Sequence, residues 1–225
     1  RPYFISPLVL KTFFIIVNPN ADHGQAANIW EQVEQILLTR QVKYEAHQTT
    51  RVGHAKQLIH LNFGTQKAEN IKDQVVLVVG GDGTLNETLN ALKHEAPLEV
   101  PLAFIPVGHN NGFAKGIGIA SDPLVALDQI LAATEPTYYN VGEYQETTHN
   151  EQGYFLNDFG IGLDACQDHF HIVKSPCIDQ IRPVAHRQTL CLLIGDGKAH
   201  GKALALRLHY RHGSGCRGSV PRHYI

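Results

Sequence analysis

Short, continuous apolar runs alternate along the first half of this chain with longer stretches in which apolar residues return every three or four positions. Phe13 to Val17 is apolar without interruption and stops at Asn18-Pro19, the pattern of a strand in a parallel sheet covered on both faces. Ile29, Val33, Ile36 and Leu37 recur at helical spacing, which predicts a helix over Gln25 to Arg40 with one apolar face. A short strand follows from Val42 to His47, and Thr50 is placed to cap a helix through Ala55, Leu58 and Ile59. Val75 to Val79 is a second continuous run, and Leu85, Leu89 and Leu92 mark the helix behind it. Leu102 to Ile105 is a third, closed by Pro106-Val107-Gly108, and Leu124, Leu127 and Leu131 give a helix from Pro123 to Ala132. Strand and helix in this alternation predict a doubly wound, Rossmann-like α/β domain over residues 11–134. From Thr137 the pattern changes: Tyr138 to Gly142 and Tyr154 to Phe159 read as strands with a polar hairpin region between them. That is the beginning of a second, antiparallel β domain over residues 135–225, incomplete and atypical after about residue 165.

The second apolar run leads into Gly80-Gly81-Asp82-Gly83-Thr84-Leu85-Asn86-Glu87. A buried strand that ends in glycines and opens a helix has the build of a phosphate site. Glycines permit positive φ and let main-chain N–H groups approach an anion with no Cβ in the way, while the helix N-terminus points at the same place. A lone Asp82 there would repel phosphate, so it calls for a bridging Mg²⁺ or a hydrogen-bonded network. The alternative is an ordinary strand-to-helix turn with Asp82 or Thr84 as cap.

Composition narrows the classes. Hydrophobic residues make up 43% and charged residues 18%, which fits a folded globular chain. Lys and Arg number 19 against 21 Asp and Glu, so no basic excess points to nucleic acid. No apolar run reaches the roughly 20 residues of a membrane span, and a cytoplasmic location is the expectation. The chain has no Met and reads as a piece of a longer product. All four cysteines (Cys166, Cys177, Cys191, Cys216) and seven of the fourteen histidines lie in the last 60 residues. Their spacing matches no common zinc pattern.

Taken together, the motifs resemble the diacylglycerol kinase catalytic-domain family, which includes bacterial diacylglycerol kinases and sphingosine and ceramide kinases. The resemblance rests on Asn18-Pro19 with Gly24, Thr49 with His54-Ala55, Gly80 to Thr84 with Asn86-Glu87, Pro106-x-Gly108 with Asn111, and Asn157-x-x-Gly160-Ile161-Gly162-Leu163-Asp164-Ala165. It implies ATP-dependent phosphorylation of a lipid hydroxyl such as that of diacylglycerol. By the same resemblance Asn18, Gly24 and Thr49 line the phosphates, and Gly80, Gly81, Gly83 and Thr84 hold the triphosphate with Mg²⁺ on Asp82. Glu87 stands beside them, Gly108 and Asn111 close the opposite wall, and Asp164 faces the acceptor. The implied partner is a lipid at a membrane surface touched transiently, with a homodimer left open. Two other readings share the glycine turn: an NAD kinase-like enzyme, and a non-catalytic module that binds nucleotide without transfer.

The sequence departs from the family at several places. His109 stands where the family usually has Thr or Ser, Gly112 where it has Asp, and Lys115 where it has Arg. Gly112 removes a carboxylate from the Mg²⁺-linked network. Asp22 stands where the first loop usually has Gly; about 4 Å from a phosphate, at an effective dielectric of about 20, its charge would repel by roughly 4 kcal/mol. After Ala165 no family pattern is recognisable, and the late acidic segment that supplies a catalytic carboxylate in bacterial diacylglycerol kinases is not found. This leads to the expectation that residues from about 166 are an out-of-frame or scrambled translation, which sequencing of the encoding DNA checks. The opposing reading is a divergent tail, supported by strand-like alternation in Ala203 to Tyr210.

Overall fold

The computed structural model describes residues 12–71, 73–96, 100–146, 151–156, 158–161, 180–183, 189–193 and 207–210. The three continuous apolar runs become β1 (Thr12–Val17), β3 (Gln74–Gly80) and β4 (Leu102–Pro106), with β2 (Tyr44–Gln48) between the first two in sequence. The helices are α1 (Gln25–Thr39), α2 (His54–Ile59), α3 (Ala68–Ile71), α4 (Asp82–Glu95), α5 (Gly112–Ile117) and α6 (Pro123–Ala132). Later strands are β5 (Pro136–Asn140), β6 (Gly142–Glu146), β7 (Glu151–Phe155), β8 (Asp158–Ile161), β9 (Gln180–Pro183), β10 (Thr189–Leu193) and β11 (Arg207–Tyr210).

Six strands form one sheet in the order β2-β1-β3-β4-β10-β5. The first five run parallel, and β5 is antiparallel to β10. Because β2 lies on one side of β1 and β3 on the other, the chain reverses its direction of winding between β1 and β3. In open α/β sheets the crevice beyond the carboxyl ends at such a reversal is where ligands bind. Val17 pairs with Val79 there.

The central strands β1, β3 and β4 are buried on both faces, which is why they run parallel and read as continuous apolar runs with no alternation of polarity. Phe13, Ile15 and Val17 share one core with Val75, Leu77, Val79, Ala103 and Ile105, and with Trp30, Val33 and Leu37 of α1 and Leu127 and Ile130 of α6. Arg40 at the end of α1 reaches Asp128 of α6 at 2.7 Å. On the other face Phe14 meets Phe63 edge-on, with ring centroids 5.3 Å apart. Phe63 lies in a π-helical turn (His60–Gly64) that continues α2, and this segment packs against α4.

The described residues fall into two compact units, the first holding the six-stranded sheet and its helices. In the second, β6 lies between β7 and β9, antiparallel to both, and β8 pairs in parallel with β11. Aromatic rings cover glycines across the β6–β7 ladder: Gly142 faces Phe155, and Gly153 faces Tyr144. A Cβ on Gly142 would collide with the Phe155 ring, so the ring takes the space the glycine leaves. The stretch expected as one strand from Tyr138 to Gly142 is divided at Val141: β5 pairs antiparallel with β10 in the sheet of the first unit, and β6 pairs antiparallel with β7 in the second.

Two local expectations change. The first cap of α2 is Gly53, at φ 81°, while the Thr50 amide donates to Nδ1 of His54 at 3.1 Å. No apolar repeat announced α5, because Gly112 and Gly116 dilute it; its first turn is held from outside, as described below.

The sheet core sets the stability of the first unit. Leu77 is fully buried in β3, and Leu77→Ala is expected to lower unfolding free energy by about 3 kcal/mol, the usual range for a buried leucine truncated in place. Urea titration followed by tryptophan fluorescence, with Trp30 in the same core, measures it.

Candidate functional site

The candidate residues gather at the carboxyl ends of β1, β3 and β4. Asn18 follows β1, and its amide donates to the Val79 carbonyl at 2.9 Å. Thr49 follows β2; it is 8% exposed, and its amide donates to Val17 O at 2.8 Å. The turn after β3 and the loop after β4 are drawn together by Val107 N–H donating to Gly80 O at 2.7 Å. Gly24 lies at the N-cap of α1, at φ 92°.

Each glycine here has its own reason, and the reason is not positive φ at the glycine turn, which is absent from Gly80 and Gly81. A Cβ on Gly80 would meet Thr84 Oγ1 at 3.2 Å and Asn18 Cβ at 3.3 Å, and one on Gly108 would meet Asn111 Oδ1 at 2.8 Å and Gly81 Cα at 3.0 Å. Packing therefore accounts for both. Gly81 is different: its backbone is ordinary extended chain (φ −94°, ψ 178°), and a Cβ there would touch nothing nearer than 3.8 Å. Neither backbone nor packing requires glycine at 81. Gly83 lies in the first turn of α4.

Gly81 is the N-cap of α4, and no side chain caps that helix. The same holds for α1, whose N-cap is Gly24. By contrast, α6 is capped by Asp122, which accepts from Leu124 N at 2.8 Å and Val125 N at 3.1 Å. The two helices that start at the winding reversal thus present uncapped N-termini, which favour anions.

Asp82 opens α4, and its carboxylate crosses to α5. Oδ2 accepts from Gly112 N–H at 2.8 Å, and the neighbouring Phe113 amide also favours the charged carboxylate. Asp82 is thereby the external support of the first turn of α5, with Asn111 at φ 47° setting the entry. Oδ1 is buried and has no partner. Burial raises the Asp82 pKa above the ordinary carboxylate value; the Gly112 and Phe113 amides and the charge of Lys115 pull the other way without cancelling it. Two neutral oxygens share this condition: Asn86 Oδ1 and Asn111 Oδ1 are buried and unpartnered, although Asn111 Nδ2 donates to Gly108 O at 2.8 Å. Asn86 lies four residues after Asp82, on the same face of α4. Asn86 belongs to the motif by sequence, and its spacing of four from Asp82 is the signal that places it beside the carboxylate. Among the described residues no group of three or more His, Cys, Asp or Glu is arranged for a metal.

Glu87 is placed elsewhere. Its carboxylate accepts from Gly53 N at 3.2 Å and Lys56 N at 3.1 Å, so it ties α4 to the start of α2. Further along α4, Glu95 Oε2 lies 2.8 Å from His60 Nδ1, and that partner holds the Glu95 pKa below its ordinary value. Asp22 and His23 both have positive φ, 49° and 56°. Backbone geometry at 22 suits glycine, and Asp is among the side chains that tolerate it best. Asp164 lies outside the described residues, as do Asn157 and Gly162; Gly160 and Ile161 are in β8.

The raised Asp82 pKa carries a sign. Between the unfolded value, about 3.9, and the higher folded value, the native chain holds a proton that the unfolded chain has lost. Stability therefore falls as pH rises through that window. Asp82→Asn removes the ionisation, so the advantage of the variant in unfolding free energy without ligand is expected to grow from acid to neutral pH. Denaturant titrations of both proteins at several pH values check it; an advantage constant with pH contradicts it.

The family model described as diacylglycerol kinase catalytic domain matches residues 12–143. YtlR of Bacillus subtilis, provisionally named a lipid kinase, is 30% identical over 157 residues, covering 69% of this chain and 49% of its own length. Sphingosine kinase B of Dictyostelium discoideum is 32% identical over 126 residues, covering 54% of this chain and 16% of its own. The solved structure of a diacylglycerol kinase from Bacillus anthracis strain Sterne superposes with a TM-score of 0.48 at 24% identity, covering 66% of this chain and 46% of that one. The chain spans about half the length of YtlR and less of the Dictyostelium enzyme. With the family model running from the first residue of β1 into β6, and its glycine turn seated at the winding reversal, the chain belongs to the lipid kinase family defined by the diacylglycerol kinase catalytic domain.

Proposed function

We propose that this chain is the nucleotide-binding part of an ATP-dependent lipid kinase, which transfers the γ-phosphate to a lipid hydroxyl such as that of diacylglycerol. One observation carries the reading: Gly81 lacks a Cβ that neither its backbone nor its packing forbids, at the uncapped start of α4 and beside the orphaned Oδ1 of Asp82. A glycine kept open toward an anion-binding helix end fits the close approach of a phosphate to the main chain.

The donor set fits Mg²⁺. One carboxylate oxygen is committed to amides and the other is free, which suits an ion that binds through one or two carboxylates and takes its remaining ligands from phosphate and water. Mg²⁺ held at Asp82 would neutralise charge on the phosphates. The uncapped N-termini of α1 and α4 would orient the triphosphate, with Thr84 adding a hydroxyl donor and Gly108 bringing its loop against Gly81. In the transfer, the acceptor oxygen forms a bond to the γ-phosphorus, the bond from that phosphorus to the β–γ bridging oxygen breaks, and the hydroxyl proton passes to a base. Asp164 is the base and head-group contact in this proposal. Positioning and charge neutralisation carry most of such a reaction.

No described helix is long and apolar enough to cross a membrane. The proposed enzyme works from the cytoplasmic side, meeting its lipid at the membrane surface. A second reading, nucleotide binding without transfer, is favoured by Gly112, which supplies Asp82 with a backbone amide and no carboxylate of its own.

Transfer of γ-phosphate to mixed diacylglycerol and sphingoid-base micelles with Mg²⁺ is expected, falling at least about 100-fold in Asp82→Ala. Binding of Mg²⁺ with a non-hydrolysable ATP analogue, but no transfer, selects the second reading. Phosphorylation of NAD in preference to lipid overturns both in favour of an NAD kinase-like enzyme.

Gly81→Ala makes a sharper test of the phosphate site. The variant is expected to keep its unfolding midpoint while its affinity for the nucleotide analogue falls about 10- to 100-fold, the penalty of one inserted methyl in a tight contact. Unchanged affinity contradicts the reading.

A further inference from the structure

The Asn18 side chain makes two hydrogen bonds that fix its orientation. Oδ1 accepts from Asn20 N–H at 3.2 Å, and Nδ2 donates to Thr84 Oγ1 at 3.0 Å. A main-chain N–H can only donate, so the carbonyl end of the amide must face Asn20 and the NH₂ end must face Thr84. Thr84 Oγ1 is then an acceptor toward Asn18, and its own proton is left to point elsewhere. Among the described residues nothing accepts it.

Thr84 sits in the first turn of α4, and its hydroxyl lies where a Cβ on Gly80 would be 3.2 Å away. A threonine hydroxyl inside a helix commonly turns back to the carbonyl four residues earlier, as Thr88 does toward Thr84 O at 2.8 Å. Thr84 makes no such bond, so its proton is available to the space in front of the helix.

We propose that Asn18 is a positioning residue: by occupying the acceptor side of Thr84 Oγ1, it commits the Thr84 hydroxyl to donate to the phosphate bound at the start of α4. This rests on the nucleotide-binding reading above and changes the part Asn18 plays in it. In this role Asn18 acts through Thr84. It also joins the loop after β1, through Asn20, to the turn after β3.

The polarity of this pair can be reversed without altering its shape. Asn18→Asp puts a carboxylate oxygen where Nδ2 was, so Thr84 must donate to Asp and can no longer donate to phosphate. The substitution also adds a charge, and Thr84→Val measures that part alone because it has no hydroxyl to redirect. Binding of Mg²⁺ with a non-hydrolysable ATP analogue is measured calorimetrically for the wild type, both single variants, the double variant and Thr84→Ser, with thermal midpoints alongside. Expected are a loss of about 10-fold or more for Thr84→Val, affinity within about 3-fold of wild type for Thr84→Ser, and a markedly smaller effect of Asn18→Asp when combined with Thr84→Val than alone.

An equal effect of Asn18→Asp in the two backgrounds means charge alone and overturns the proposal. Should Asn18→Asp not fold, equal affinities of Thr84→Val and Thr84→Ser overturn it instead. A wild type that binds no analogue at all overturns the nucleotide reading, and the proposal with it.

Discussion

A single half-buried carboxylate, with one oxygen sealed from solvent and unpartnered, is the constraint around which the first unit is organised. Asp82 stands at the carboxyl end of a sheet whose neighbouring strands are apolar on both faces, and moving a charge even part of the way into such surroundings is costly unless partners compensate. The amides of Gly112 and Phe113 supply part of the compensation, and they can do so only because the loop after β4 crosses over the glycine turn. That crossing needs Gly108, whose backbone lies against Gly81. The six-residue α5, weak in its own sequence, exists where it does because the carboxylate completes its first turn. What remains uncompensated, Oδ1, is the opening through which an ion can be recognised: a group left short in the empty protein gains most when its missing partner arrives.

The parallel strands and the long helices were legible because they depend on patterns confined to a few neighbouring residues. Apolar runs of four or five residues located β1, β3 and β4 to within a residue at each end, apolar residues at helical spacing did the same for α1 and α6, and the leucine repeat marked α4 without fixing its ends. The features that escaped depend on contacts across long separations. α5 takes its support from a residue thirty positions earlier, and no periodicity in Gly112–Ile117 encodes that. Gly53 replaced Thr50 as the start of α2 because Glu87, thirty-four positions away, accepts from the Gly53 amide.

The glycine turn shows the same limit in another form. Its residue types pointed to phosphate, but the reason first attached to them, positive φ, is not the one the backbone uses. Crowding explains Gly80 and Gly108, open space marks Gly81, and only coordinates can tell these apart. Asn18 is grouped with the phosphate-lining residues by its motif, and the bonds its side chain makes within the fold are to Asn20 and Thr84. A motif identifies which residues matter together; it does not say which of them touches the ligand.

The six-stranded sheet is not built from one continuous stretch of chain. β10 lies between β4 and β5 in space, yet nearly fifty residues separate it from β5 in sequence, and the strands β6 to β9 of the other unit are made in between. During synthesis from the N-terminus, β4 and β5 must therefore wait with no strand between them until residue 193 has emerged. An unpaired edge on an apolar sheet is a template for pairing with other chains, so the interval between making β5 and making β10 is when this protein is most exposed to misassembly, and a chain cut at the end of β5 would remain in that condition permanently.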